Sequence, residues 1–356
     1  MTAQVTICVP VYNGAQHLSA CFDSIETQTM PGLRVLIIDD ASTDTSPQLC
    51  EAFAAKHPNV RFLRNATNIG LTANWNRCVE EADTDWIKFV FQDDSIAPEC
   101  VATLVNAIDP SVDIVVCARS YAYENGVDPD LVVRLERLRK RSAERFGARP
   151  RAIEATEIAD EMAWWGNWNF IGEPVATLLR VSAMRELGPF TNQLVVSSDY
   201  AYFLRLALRG GLKWVPSDLA EFCVHASSVS GRHSETYAVR EIEAAIVFGG
   251  FVTDPDYTLF VEQLRRAGNV ASYRRAVRWL VADAQRRAVV LGGMGDSSAL
   301  AAWSRFAHDP RNADIPGVRR SRVHAPLHRL HRAWRRARGT SQAHLRTLRP
   351  VDFVDC

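Results

Sequence analysis

Lysine is scarce in this 356-residue chain, standing only at positions 56, 88, 140 and 213, so nearly all positive charge is arginine. Genome composition explains that bias as readily as chemistry does. A charge excess is also missing: 41 basic and 41 acidic residues cancel, so no global field draws the whole molecule toward nucleic acid or membrane. The eight cysteines include no CxxC pair, and several stand in apolar surroundings such as Ile7-Cys8-Val9 and Val115-Val116-Cys117, which reads as buried free thiols in a reducing compartment. No run reaches the roughly 18 consecutive apolar residues that a spanning helix needs. The first residues lack the basic n-region and long apolar stretch of a signal peptide. Cytoplasmic residence, with attachment at most to the inner face of a membrane, is the expectation. No glycine-rich GxxxxGK[ST] phosphate loop is present to favour nucleotidyl transfer. No internal repeat is visible.

What is present is 47% hydrophobic and 23% charged content, enough for at least one large core, in a length that suggests two or three domains. The first hundred residues alternate short apolar runs with amphipathic segments of helix length. Val5–Val9, Arg34–Ile38, Val60–Leu63 and Trp86–Phe91 read as strands, and the segments around 17–27, 46–56 and 73–81 as helices between them. That alternation predicts an open parallel sheet, in which ligands bind at the carboxyl ends of the strands. Polar clusters follow those ends: Asn13, Asp39-Asp40, Asn68 and Asp93-Asp94. The fold rule gathers them along one crevice although they are distant in sequence.

Further along, residues 113–118, 175–180 and 213–215 are strand candidates, and 129–146 is an arginine-rich helical stretch that reads as an insertion. Residues 164–174 form an aromatic loop punctuated by glycine. In it Trp164, Trp165 and Trp168 either stack on an acceptor sugar or plug the core. Beyond about residue 235 the pattern is helical and brings no new polar cluster.

Adjacent carboxylates at a strand end raise one another's pKa unless a cation neutralises them. Hard oxygen ligands such as Asp93 and Asp94 suit Mg²⁺ or Mn²⁺ bridging to phosphates. Tyr12 offers a broad face for a nucleobase at the crevice rim, or else packs on the first helix. Asp39 reads as a cap for the helix after Ser42. Asp199 heads a helical segment and is either its cap or a general base.

Several of these residues occur together as Val9-Pro10-Val11-Tyr12-Asn13-Gly14, Ile38-Asp39-Asp40-Ala41-Ser42-Thr43-Asp44, Asn68-Ile69-Gly70 with Asn76, Gln92-Asp93-Asp94 followed by Pro98, and Asp199 with Arg205. In that order and spacing the chain resembles the family 2 glycosyltransferases, inverting enzymes of the GT-A fold, over roughly residues 4–232. The resemblance implies an α/β fold with a mostly parallel Rossmann-like sheet flanked by helices, and a metal-dependent transfer of a sugar from a nucleoside-diphosphate donor. It implies a nucleotide site from Pro10, Tyr12, Asn13, Asp40, Asn68, Gly70, Asn76 and Asp93, with Asp40 reading the imide N–H of a uracil-like base. Asp94 becomes the metal ligand, Asp93 lies nearer the ribose or sugar, and Asp199 is the catalytic base. His225 becomes a second metal ligand or a contact to diphosphate oxygens, its alternative being a structural role. The chain departs from the pattern at Phe91, Ser198 and Cys223, where relatives often carry Asp, Glu and Arg.

The implied partners are a UDP- or dTDP-sugar and a glycan or lipid-linked acceptor, as in cell-surface polysaccharide synthesis. A non-catalytic nucleotide-sugar or glycan-binding module on the same fold is the alternative. Residues 318–349 hold many arginines, His324, His328, His331 and His344, and no acid, with Leu327, Leu330 and Trp334 at helical spacing. That composition suits an anchor on an anionic membrane surface or a solvated tail, and no nucleic-acid module accompanies it. The expected division is a catalytic domain over 1–235, a helical appendage over 236–315 and a basic tail over 316–356.

Overall fold

The run Val5–Val11 carries no charge and is buried at all seven positions, as a strand between two helical layers must be. In the computed structural model it is β1, the centre of the parallel half of a nine-stranded sheet. The structure describes residues 4–165, 169–225, 228, 237–293 and 297–318. β2 (Arg34–Asp39) and β3 (Val60–Arg64) lie to one side of β1 and β4 (Trp86–Phe89) to the other, all parallel. The crossovers are α1 (Leu18–Glu26), α2 (Ser46–Lys56) and α3 (Leu71–Glu81). The strand order reverses at β1, so β1 and β4 flank the topological switch point, where a ligand crevice forms in open sheets of this kind. The β1–β4 ladder ends at Cys8 and Phe89, with Val90 N–H donating to the Cys8 carbonyl. Pro10, which has no N–H to give, therefore sits where no β4 partner remains.

Beyond β4 the sheet becomes mixed. The chain runs through β5 (Ser95–Ile96), α4 (Cys100–Asn106), β6 (Ile114–Tyr123), α5 (Pro129–Phe146), β7 (Arg151–Ile153) and α6 (Ala155–Trp165) before β8 (Thr177–Arg180). β8 lies antiparallel to both β4 and β6 because it is reached by this long excursion and not by one direct crossover. After α7 (Val181–Leu187) and α8 (Ser198–Gly210), β9 (Leu212–Val224) pairs parallel with β6 and antiparallel with β5 and β7. The parallel expectation thus holds for the first four strands, and the second half adds antiparallel neighbours. Register shifts around Ala118 bend the β6–β9 pair before Tyr123 comes opposite Val224.

The arginine-rich stretch is α5, capped by the Asp128 carboxylate accepting from Asp130 N–H. It is packed: Leu131 and Leu135 cluster with Tyr121 and Val224 at the carboxyl ends of β6 and β9. The main core lies between the sheet and α1, α2 and α4. Six of the thiols are buried and free, and Cys223 is half-buried.

The chain falls into two compact units, one of Met1–Ile158 and Trp168–Arg232, the other of Ala159–Asn167 and His233–Cys356. The second contains α9 (Tyr237–Gly250), α10 (Thr258–Arg266), α11 (Val270–Gly293) and α12 (Ser297–His308). Among the described residues no helix is long and apolar enough to cross a membrane. The basic tail beyond Val318 lies outside the described residues.

Candidate active site

The loops after β1 and β2 are stitched together by side chains. Asn13 N–H donates to Ser42 Oγ at 2.9 Å, and Asn13 Oδ1 accepts from Thr43 N–H at 2.8 Å. Gly14 N–H donates to Ser46 Oγ at 3.0 Å and Ala15 N–H to an Asp44 oxygen at 3.2 Å. Asn13 (φ 49°) and Ala41 (φ 57°) are the non-glycine residues of left-handed conformation among the described residues, and both sit in this seam. Strained backbone held in place by its surroundings is a mark of functional loops. The Gln92 carboxamide grips the Tyr12 backbone from the β4 side, accepting from its N–H at 2.8 Å and donating to its carbonyl at 3.2 Å. The Tyr12 side chain is left 46% exposed at the crevice rim.

Asp39 is fully buried, with one oxygen accepting from Ser42 N–H at 3.0 Å and Arg64 Nε at 3.1 Å; α2 begins only at Ser46 with no side-chain cap, so Asp39 is structural as a tie for the loop and not as the expected helix cap. Asp40, expected to face a nucleobase, is only 2% exposed. Its Oδ1 accepts from Asn65 Nδ2 at 2.6 Å and Ile69 N–H at 2.9 Å, and its Oδ2 from Gly70 N–H at 2.9 Å. It anchors the 65–70 loop, where Gly70 takes φ 90° before α3. The carboxylate is thus turned to backbone donors and away from solvent. Asn68 rides exposed on that loop.

At the end of β4 the acidic pair divides. Asp94 is 1% exposed; its Oδ1 accepts from Cys223 N–H at 3.1 Å, while its Oδ2 is buried without a hydrogen-bond partner among the described residues. Burial, and after it the charge of Asp93, pushes the Asp94 carboxyl well above the usual carboxylate range. Asp93 points instead at His225, Oδ2 to Nε2 at 3.0 Å. Asp93, and not Asp94, shares a pocket with His225. The pair lies in the turn between β4 and β5, closed by Asp94 N–H donating to the Phe91 carbonyl at 3.0 Å, and the two side chains leave it in different directions, one into the core and one toward His225.

Two residues not singled out in the sequence join them. The His17 ring lies 4.6 Å from that of His225, and His17 Nδ1 is 3.5 Å from Glu124 Oε1. His17, Glu124 and His225 each offer a donor atom within 4.8 Å of the others. The half-buried Cys223 thiol beside them is pushed up to about 12 by burial and by Asp93, Glu124, Asp94 and Glu221. A pocket of such negative potential, lined by imidazole and carboxylate donors, fits a divalent cation.

Asp199 stands half-buried in the first turn of α8, its Oδ1 accepting from Tyr200 N–H at 2.7 Å. The loop before it is fixed from α3. Asn76 donates to the Phe190 carbonyl at 3.0 Å and accepts from its N–H at 2.8 Å. Both ends of the Asn76 carboxamide are thus engaged by a residue 114 positions away. Pro10 is a buried residue of β1. Trp164 and Trp165 end α6 where a loop was expected, and Trp168 lies outside the described residues. No periodicity or spacing in the sequence connects Asn65, His17 and Glu124 to this site, and the motif that contains Gln92 gives that residue no role.

A family model for Glycosyl transferase family 2 matches residues 6–187, just over half of the chain. An uncharacterized protein of Mycobacterium tuberculosis is 29% identical over 219 residues, 61% of this chain and 66% of its own length. The chain therefore spans just under two thirds of that relative. The poly(ribitol-phosphate) beta-glucosyltransferase of Bacillus spizizenii is 33% identical over 106 residues, covering 29% of this chain and 17% of the relative. Among solved structures, S. aureus TarS 1-349 in complex with UDP superposes with TM-score 0.53 at 15% identity, over 95% of this chain and 93% of that one. The mannosyltransferase PcManGT from Pyrobaculum calidifontis, in complex with GDP-Man and Mn²⁺, gives TM-score 0.51 at 18% identity, over 91% and 87% of the two chains. These likenesses identify the GT-A fold. With its motifs on the carboxyl ends of β1, β2 and β4 and its family match extending through α7, the chain belongs to glycosyltransferase family 2.

Proposed function

We propose that this chain is an inverting glycosyltransferase that moves a sugar from a nucleoside-diphosphate donor to a hydroxyl of a glycan or lipid-linked acceptor, in cell-surface polysaccharide synthesis. The observation that carries the reading is the Asp93–His225 pair, 3.0 Å apart, at the end of the crevice whose other rim presents Tyr12. The polysaccharide assignment draws on the poly(ribitol-phosphate) relative, and a UDP- or dTDP-sugar is favoured as donor by the UDP bound in the TarS neighbour.

In this reading the exposed Tyr12 face stacks on the nucleobase, held by Gln92 at its backbone. Asp40 acts at one remove: it fixes the 65–70 loop that carries Asn68 and Gly70 to the same crevice. Asp93 and His225 hold the cation, Mn²⁺ or Mg²⁺, which when bound neutralises the charge of the leaving diphosphate. Asp199 takes the proton from the acceptor hydroxyl as that oxygen bonds to the anomeric carbon and the bond to the diphosphate oxygen breaks. The catalytic chemistry belongs to a domain over residues 1–235.

Transfer or donor hydrolysis with a panel of nucleotide sugars, with and without Mn²⁺, tests the assignment. Turnover dependent on the cation is expected with at least one donor. No turnover and no binding of UDP, GDP or dTDP would sink it. Asp199→Asn is expected to lower kcat by at least about a hundredfold, the scale of general-base catalysis, and to leave nucleotide affinity unchanged. An unchanged kcat moves the base elsewhere, and a wild-type chain that binds nucleotide yet never turns over is the non-catalytic module.

A further inference from the structure

The β6–β9 register carries consequences for the cation pocket. Tyr123 lies opposite Val224, and Glu124 N–H donates to the Val224 carbonyl at 3.0 Å, so Glu124 and His225 leave two parallel neighbours at one level. His17 reaches the same place from the start of α1, where its N–H donates to the Gly14 carbonyl at 2.9 Å within the stitched seam. Three independent segments thus bring His17, Glu124 and His225 to within 4.8 Å of one another, with Asp93 on His225 at 3.0 Å.

Read as two ion pairs, His17–Glu124 and His225–Asp93, the arrangement would bring two charged rings side by side. The two imidazole centroids are 4.6 Å apart, and both rings would repel if protonated together. Neutral imidazoles beside two carboxylates are a ligand set. His17 Nε2 lies 2.7 Å from the Gln16 carboxamide nitrogen, from which it accepts as placed, while Nδ1 faces Glu124. A carboxamide can turn to present its oxygen to Nε2–H, which leaves Nδ1 as the free donor.

We propose that His17 and Glu124 complete the cation site, giving a two-imidazole, two-carboxylate donor set that takes Mn²⁺ in preference to Mg²⁺. Mg²⁺ binds through oxygen and gives up water reluctantly, whereas Mn²⁺ accepts imidazole nitrogen more readily. The Glu124 side chain is 47% exposed, so the pocket stays open to water or to diphosphate oxygens. The inference rests on the reading of Asp93 and His225 as cation ligands.

Binding of Mn²⁺ to the full chain, followed by the loss of the free-ion electron paramagnetic resonance signal with and without UDP, tests it apart from activity. The wild type is compared with His17→Ala, Glu124→Gln and Asp93→Asn. His17→Ala and Glu124→Gln are each expected to weaken Mn²⁺ binding by about ten- to a hundredfold, and Mg²⁺, read by competition, is expected to lose less than about threefold with His17→Ala. Glu124→Gln is isosteric at a half-exposed side chain, so it carries the test even where His17→Ala fails to fold. Wild-type affinity in both variants, with binding lost in Asp93→Asn, overturns the inference and leaves the Asp93–His225 reading intact. No Mn²⁺ binding by the wild type at millimolar ion removes both. Equal wild-type affinities for Mn²⁺ and Mg²⁺ overturn the selectivity.

Discussion

A guanidinium as buried as that of Arg119, 1% exposed, persists only beside an anion. Glu173 supplies it, accepting from Arg119 Nε at 2.5 Å and from Tyr121 O–H at 3.1 Å. Gly172 is required next to it: φ is +118°, and a Cβ there would meet the guanidinium at 3.1 Å. Removing one charge of such a pair leaves the other uncompensated, which costs about 3–5 kcal/mol. Glu173→Gln is therefore expected to lower the urea midpoint by that amount of stability with an unchanged m-value. A shift below about 1 kcal/mol would mean that the pair is solvated. Residue roles at this level were only partly legible. Asp93 and Asp94 are neighbours of identical chemistry, and only the side of the strand end each faces separates crevice from core. The position of Asp40 after β2 is evident in the sequence and suggests a ligand, whereas the loop donors that occupy it come from 25 to 30 residues away.

At the scale of elements, the first four strands are legible because apolar-rich runs alternate with amphipathic helices: β1, β2 and β4 are almost wholly buried, and β3 is a partly exposed edge strand. The second half could not. β5 has two residues, β9 has Pro216, Asp218 and Glu221 interrupting its apolar pattern, and α6 ends in an aromatic cluster that resembles a loop. Pairing between distant segments overrides local preference there. The close approach of the β1 and β4 loops yields a test of the nucleotide rim. A Cβ on Gly14 would lie 2.3 Å from Gln92 Cδ, so Gly14→Ala must displace the carboxamide that grips Tyr12. Two hydrogen bonds worth about 0.5–1.5 kcal/mol each are lost from the loop that presents the ring. UDP affinity measured calorimetrically is expected to fall about tenfold, with little change in Tm because Gln92 is a flexible side chain near the surface. A large drop in Tm with unchanged affinity would place the strain in the fold instead of the site.

For the whole molecule, a net charge of zero conceals an uneven distribution: residues 318–349 contain ten arginines and no acid. Near an anionic leaflet each arginine contributes up to about 1 kcal/mol, an attraction confined to roughly a Debye length. An enzyme drawing on a lipid-linked acceptor gains from that surface contact, and a chain with no spanning helix among its described residues has this route to it. Val318 is fully buried and Ile315 packs on Gly249, so a chain ended after Val318 keeps these described contacts of the helical unit while losing the charge. The full chain is expected to sediment with vesicles containing phosphatidylglycerol at about 0.05 M salt, and to be released near 1 M, where the Debye length falls to about 3 Å. The shortened chain is expected to remain in the supernatant and to bind UDP as before. Binding that survives 1 M salt would point to apolar insertion through Leu327, Leu330 and Trp334, and equal sedimentation of the two chains would take the membrane contact away from the tail.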